Sequence, residues 1–433
     1  MSLRHWRSQV VFWAGGLLVG AVAVLIAIGA DRAQDLFQLG VRRVWWLPLV
    51  VTPLGFGISA YVTRRWFKGA QGSGIPQVMA ASEIVRHHPR ALENLVSIRI
   101  VIGKSLLLFL GLLTGASIGR EGPTVQVGAA LMRMTGRIGG IVSNESVLLL
   151  AGGAAGVAAA FNTPLAGIVF AIEELGKSFE QRTSGTVIFT VMLAGIASLA
   201  MLGDYTYFGR SSAAMVGLPD IYAVMVCGVG GGLLGGVFSR GLIYGMKHLG
   251  KVFGGFFDRH RIAFAVMCGF LVSLIGVASG TDIFGTGYAH AKALLTGSGE
   301  PSYAFGPLKM IATLLSSTSG IPGGLFAPSL ATGAGLGADM HLVLPVASLA
   351  TMTLLGMVGY FSGVVQSPLT AFVIVMEMTN SHDMVIPLIA TSVLAYSVSR
   401  LVSARPLYHS LSQTFVKQER DSRAAAPAAS SAD

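Results

Sequence analysis

Long apolar stretches separated by short polar punctuation dominate the chain, with Val10–Gly29, Val44–Val62, Ile102–Ile118 and Ala263–Ser279 the clearest. A helix needs about 20 mostly apolar residues to cross a hydrocarbon core roughly 30 Å thick, and these windows are of that order. Continuous apolar runs fit spanning helices, whereas a membrane barrel shows short alternating segments. The pattern predicts an all-α polytopic membrane protein.

The pattern also recurs. Asn162-Thr-Pro-Leu-Ala-Gly-Ile-Val-Phe-Ala-Ile-Glu173 aligns with Gln366-Ser-Pro-Leu-Thr-Ala-Phe-Val-Ile-Val-Met-Glu377, pairing Pro164 with Pro368 at an offset of 204. Gly119-Arg-Glu-Gly-Pro123 aligns with Gly324-Leu-Phe-Ala-Pro328 at 205, and Gly72-Ser-Gly74 parallels Gly285-Thr-Gly287 at 213. A repeat of residues 1–203 over 222–413, with a polar linker at 204–221, is expected. Residues 414–433 are expected to form a disordered cytoplasmic tail, Ala/Ser-rich from Asp421. Duplication points to a transporter or channel, which binds substrate near the midplane where discontinuous helices aim their positive N-termini at an anion. Whether the repeats are parallel or inverted is not set by similarity.

Composition removes the soluble alternative: 53% of residues are hydrophobic and 12% charged, against about 25% charged in soluble domains. Most of the 57 glycines lie inside the apolar stretches, where small residues let helices approach closely. Gly230, Gly232 and Gly235 formally match GxGxxG, but no strand precedes them, and they read as helix packing. Cys227 and Cys268 sit in apolar segments as core residues. The first apolar stretch is too long for the core of a secretory signal and is expected to be retained.

The net charge of +10 gathers at segment ends: Arg4 and Arg7; Arg64, Arg65 and Lys68; Arg86 and Arg90; Lys177 and Arg182; and the tail from Arg400 to Arg423. That is the positive-inside pattern. It puts both termini in the cytoplasm, and no nucleic-acid partner is expected. His87 and His88 have no ligand partners at metal spacing, so no metal site is predicted.

Gly72-Ser-Gly-Ile-Pro76 reads as a half-helix start able to hold an anion, or as a cytoplasmic turn capping a helix. At Gly119-Arg-Glu-Gly-Pro123 an acid at a helix start takes an anion's place when ionised and vacates it when protonated. The alternatives are a surface capping acid for Glu121 and a membrane anchor for Arg120. Gly323-Gly-Leu-Phe-Ala-Pro328 carries no charge, leaving only backbone amides to act on a small anion such as chloride, or a tight helix crossing. Glu173 and Glu174 lie toward the cytoplasm and Glu121 toward the outside. An acid near each face suits a proton relay, while for the pair an interfacial flank is the alternative. Lys104 either raises the local positive potential from a buried position or snorkels to the interface. Tyr408, by itself, reads as an interfacial aromatic.

In this order and spacing, GSGIP at Gly72–Pro76, GREGP at Gly119–Pro123, the Glu173-Glu174 pair, GGLFAP at Gly323–Pro328 and the tyrosine of Arg405-Pro-Leu-Tyr408 resemble the CLC chloride channel and transporter family. The likeness spans nearly the whole chain and is to the bacterial type without regulatory CBS domains. It implies a homodimer in the cell membrane with one anion pathway per subunit, built from two inverted repeats of tilted, discontinuous transmembrane helices. It also implies chloride coordination by the Ser73 and Tyr408 hydroxyls and the amides of Leu325 and Phe326. Glu121 would be the outer gating glutamate and Glu174 the inner proton-transfer glutamate. Gly72, Gly74, Pro76, Gly119, Arg120, Gly122, Pro123, Gly324 and Pro328 support these positions. Chloride/proton antiport follows, without a cofactor. Gln77 and Met79 stand where many members are acidic, and Leu325 replaces the commoner isoleucine.

A passive chloride channel of the same fold is the nearest rival, and retention of Glu174, which many channels replace, argues against it. A fluoride-selective relative usually varies the serine of the first motif, here intact. An intramembrane enzyme needs a nucleophile with its base, or a metal motif; no HExxH is present and no nucleophile elbow is expected.

Overall fold

Glycine and proline decide where the apolar runs break, and the breaks set the architecture. The structure, a computed structural model, describes residues 3–424 apart from 86–88, 142–144, 177–180, 204–205, 210, 215–216, 218, 253–254, 256–258 and 281–282. Arg86, His87, His88 and Lys177 thus lie outside the described residues.

The first half runs α1 (Leu3–Arg43), α2 (Leu47–Trp66), α3 (Ile75–Ile84), α4 (Ile98–Leu113), α5 (Glu121–Ile138), α6 (Glu145–Phe161), α7 (Pro164–Phe170) and α8 (Gln181–Leu202). The second runs α9 (Pro219–Val252), α10 (Arg261–Ala278), α11 (Tyr288–Thr296), α12 (Phe305–Thr318), α13 (Phe326–Val343), α14 (Leu349–Val365), α15 (Pro368–Thr379) and α16 (Val385–Val402), followed by α17 (Leu407–Ala424). Among the described residues six helices are long and apolar enough to cross a membrane, so this is a multi-pass membrane protein. The shorter α6 and α14 are almost wholly buried, as helices apolar on every face must be. The GxGxxG glycines pack as expected: a Cβ on Gly232 or Gly235 would strike the backbone of Ala395 or Gly363. Cys227 and Cys268 are buried free thiols.

Three expectations need correction. Ile102–Ile118 is not one span, because α4 stops at Leu113. Gly115 takes φ +81°, the Thr114 hydroxyl turns back onto Leu110 O at 2.8 Å, and Ala116 N bonds Gly111 O at 2.9 Å, a glycine-dependent helix ending. The sequence also reads as an apolar run of roughly 25 residues ending at Glu173 and Glu174, but that run is broken at Asn162 (φ +57°) and at Pro164, which opens α7. Nor is the whole of 414–433 disordered. Leu411, Phe415 and Val416 pack against the core, and that apolar stripe carries α17 to Ala424; residues 425–433 lie outside the described residues.

One contact fixes the relation between the halves. Gly119 and Gly324, equivalent at the 205 offset, form an antiparallel bridge with reciprocal amide bonds of 2.8 and 2.7 Å. Equivalent residues that exchange both bonds in antiparallel sense are related by a local two-fold axis. The helices that follow, α5 and α13, are related by the same axis, as two inverted repeats require. Other pairs obey the same symmetry. Glu173 accepts from the amides of Leu369 (3.1 Å) and Thr370 (2.6 Å) at the start of α15. Glu377 accepts from Leu165 (3.2 Å) and Ala166 (2.6 Å) at the start of α7. Each carboxylate caps the helix of the other half, where the first amides have no carbonyl a turn earlier.

Candidate functional site

Three helix starts and one tyrosine converge beside the glycine bridge. Gly72 (φ +63°) and Gly74 (φ +111°) hold the turn before α3 in a conformation closed to other residues. The turn is tied to the opposite loop by Gly72 N to Ile321 O (3.1 Å) and Gly323 N to Gly72 O (3.0 Å). Pro76, Pro123 and Pro328 fall in the first turns of α3, α5 and α13, where a missing N–H loses no bond. Leu325 precedes Phe326, the first residue of α13, so the amides there face outward from a helix start.

Ser73 and Tyr408 are buried, and among the described residues neither hydroxyl meets full hydrogen-bond geometry with any partner. The Tyr408 hydroxyl interacts with that of Ser73, and the Glu174 and Glu121 carboxylates lie near it. Its ring lies 6.1 Å from that of Phe326, which also stacks on Phe161 and meets Phe170 and Phe361 edge-on. Buried hydroxyls are normally satisfied, so two orphans beside a helix start fit a bound anion.

Glu121 is neither a surface cap nor exposed at all: its side chain is fully buried. One carboxylate oxygen accepts from Ala327 N of α13 at 3.4 Å; the other has no partner among the described residues. The acid thus sits on the positive end of the second repeat's helix. Gly119 makes room for it, since a Cβ there would collide with Glu121 Oε2 and lie 3.0 Å from Pro328. Gly122 serves Ser73 in the same way, as its Cβ would strike the Ser73 hydroxyl and approach Gly324 to 3.2 Å. An extra methyl in a packed site costs about 1–3 kcal/mol. Gly122→Ala is therefore expected to weaken binding of a small anion about tenfold, as read by titration calorimetry on detergent-solubilised protein.

The surrounding cations are buried and hydrogen-bonded. Arg120 is not a membrane anchor: it donates to Ala27 O (2.9 Å) and Asp31 (2.7 Å) and lies over the Tyr207 ring at 5.5 Å. Lys104 does not snorkel. Its ammonium donates to Ala70 O (2.8 Å) and Gly72 O (2.6 Å), holding the turn that carries Ser73. Lys309, which sequence reasoning missed although it stands 205 residues on, does the same for Ile283 O and Gly285 O, both at 2.7 Å. Gln77 accepts from Gly74 N at 3.1 Å and donates to Gly69 O and Gln71 O, so its amide closes the start of α3. Met79 packs against the core.

Glu174 lies in the π-helical turn Ala171–Leu175 and is buried. Its carboxylate accepts from the Ser367 hydroxyl across the repeat boundary, a contact absent from the sequence reading. The pentapeptide Gly115-Ala-Ser-Ile-Gly119 does carry the GxSxG spacing, contrary to expectation. It follows a helix and no strand, and the Ser117 hydroxyl is 2.9 Å from that of Thr313, so it is no nucleophile elbow.

The profile of the family described as voltage gated chloride channel matches residues 55–400. The chain is 32% identical to a protein named H(+)/Cl(-) exchange transporter ClcA from Yersinia pestis bv. Antiqua (strain Angola), over 96% of this chain and 90% of that one. It is 29% identical to the ClcA of Vibrio parahaemolyticus serotype O3:K6 (strain RIMD 2210633), over 88% and 82%. Among solved structures, a slow cyanobacterial Cl-/H+ antiporter superposes with a TM-score of 0.81 at 25% identity, covering 96% of this chain and 99% of that one. A CLC-type fluoride/proton antiporter, at 21% identity and a TM-score of 0.78 over 94% and 99%, shares the fold. With a matching profile over most of its length and relatives along nearly all of it, the chain belongs to the voltage-gated chloride channel (CLC) family.

Proposed function

We propose that the protein exchanges chloride for protons across the cell membrane, as a homodimer with both termini in the cytoplasm. Each subunit carries one pathway between repeats spanning residues 1–203 and 222–413. Chloride is held by the hydroxyls of Ser73 and Tyr408 and the amides of Leu325 and Phe326. Glu121 is the outer gate and Glu174 the inner proton residue.

One observation carries this reading: the Glu121 carboxylate rests on the amide of Ala327, the kind of place an anion takes at a helix start. When ionised it competes with chloride for those amides. When protonated it loses its claim on them, swings away and releases its proton outward. Protons from inside reach it by way of Glu174, and chloride moves the opposite way each time the gate is exchanged. A channel would let chloride pass without this cycle.

The test uses purified protein in chloride-loaded vesicles diluted into low-chloride buffer, with potassium and valinomycin clamping the voltage. Chloride leaving is expected to draw protons in, so that external pH rises against no initial proton gradient. Chloride efflux at constant pH would refute antiport.

A further inference from the structure

Ser367 opens α15, where a serine ordinarily turns its hydroxyl onto its own helix's free amides. Here it does not. The residue makes no side-chain cap, and its hydroxyl donates instead to Glu174. The α15 amides are taken by the neighbouring acid, Glu173, through Leu369 N and Thr370 N. The two adjacent glutamates thus divide the start of one helix, with Glu173 accepting the backbone and Glu174 the hydroxyl that this frees.

The other half has no such arrangement. Glu377 takes the α7 amides, but Thr163, the equivalent of Ser367, has no partner for its hydroxyl among the described residues. The position equivalent to Glu174 is Met378. The hydroxyl–carboxylate contact therefore breaks the internal symmetry on the side that holds an inner acid. It is also buried, with Ser367 at 3% exposure and Glu174 at 7%. A buried hydrogen bond to a carboxylate fixes its rotamer more strongly than a solvated one, because water does not compete.

We propose that Ser367 is a positioning residue for proton transfer: it aims the Glu174 carboxylate by holding one of its oxygens against the start of α15. This rests on the reading of Glu174 as the inner proton residue. Since proton-transfer partners must lie within hydrogen-bond reach, a freed carboxylate visits the productive orientation only part of the time. The chloride ligands, all on other elements, are untouched.

The experiment compares Ser367→Ala, Ser367→Thr and Glu174→Gln in the vesicle assay, recording chloride and proton fluxes together. Ser367→Ala is expected to lower the proton flux about tenfold, the cost of a misaligned reacting group, while chloride turnover stays within about twofold. The number of chlorides moved per proton then rises. Ser367→Thr keeps the hydroxyl and is expected to restore the ratio, which a merely structural role at the helix start would not require. If Glu174→Gln loses proton exchange while Ser367→Ala keeps the wild-type ratio, the positioning role is refuted and the role of Glu174 stands. If Glu174→Gln still exchanges protons, the reading of Glu174 fails and the inference falls with it.

Discussion

Glu121→Gln is expected to cut proton transport by about a hundredfold or more, the scale on which a positioned proton-transfer group acts, while chloride continues to cross. The amide has nearly the shape of the carboxyl but neither ionises nor carries a proton. It therefore cannot contest the Ala327 amide with a charge, nor export a proton when it leaves. Because Glu121 is fully buried against α13, no other acid takes its place: Asp31 is engaged with Arg120 and Glu174 with Ser367. Simultaneous chloride and pH recordings decide the matter. Proton transport at the wild-type rate in this variant would overturn the gate assignment.

Glu174→Val produces a comparable loss by a different route. On the proposed reading, valine removes the inner acid and with it the protons' way to Glu121 from the inner side. Chloride flux should persist, since the Ser73 turn is held by Lys104 and Gln77 and α13 by its own packing, none of it through Glu174. The variant leaves the Ser367 hydroxyl without its acceptor, a modest stability cost of about 1–3 kcal/mol for a buried unpaired group. Loss of both fluxes in protein that remains folded would instead make Glu174 structural.

Much of this site was legible beforehand because its backbone demands are written in residue type. Positive-φ turns before helices need glycine, first turns tolerate proline, and both recur at a fixed spacing. Hence the Ser73, Glu121 and Leu325–Phe326 loops stand out as a set, and the structure brings them together. What the sequence could not show depends on tertiary partners. The inversion appears only when Gly119 is seen bonding its own equivalent, Gly324. The burial of Lys104 turns on two carbonyls more than thirty residues away in the chain, at Ala70 and Gly72. The acceptor of the Ser367 hydroxyl lies 193 residues earlier. Lys309 was within reach, given its offset from Lys104, but an isolated lysine in an apolar helix carries no local mark of its pair. The break after Leu113 was missed because Gly115 sits among apolar neighbours that continue the run, and hydropathy does not register φ.

The central claim is obligatory coupling of the two ions. Vesicles holding equal chloride inside and out, with the voltage clamped at zero, would be given an acid exterior, and external chloride followed with an electrode. The account predicts that protons entering will drive chloride out, so that external chloride climbs above its starting value with no chloride gradient to push it. Chloride that stays level under the pH gradient, yet leaks when given a gradient of its own, would contradict it.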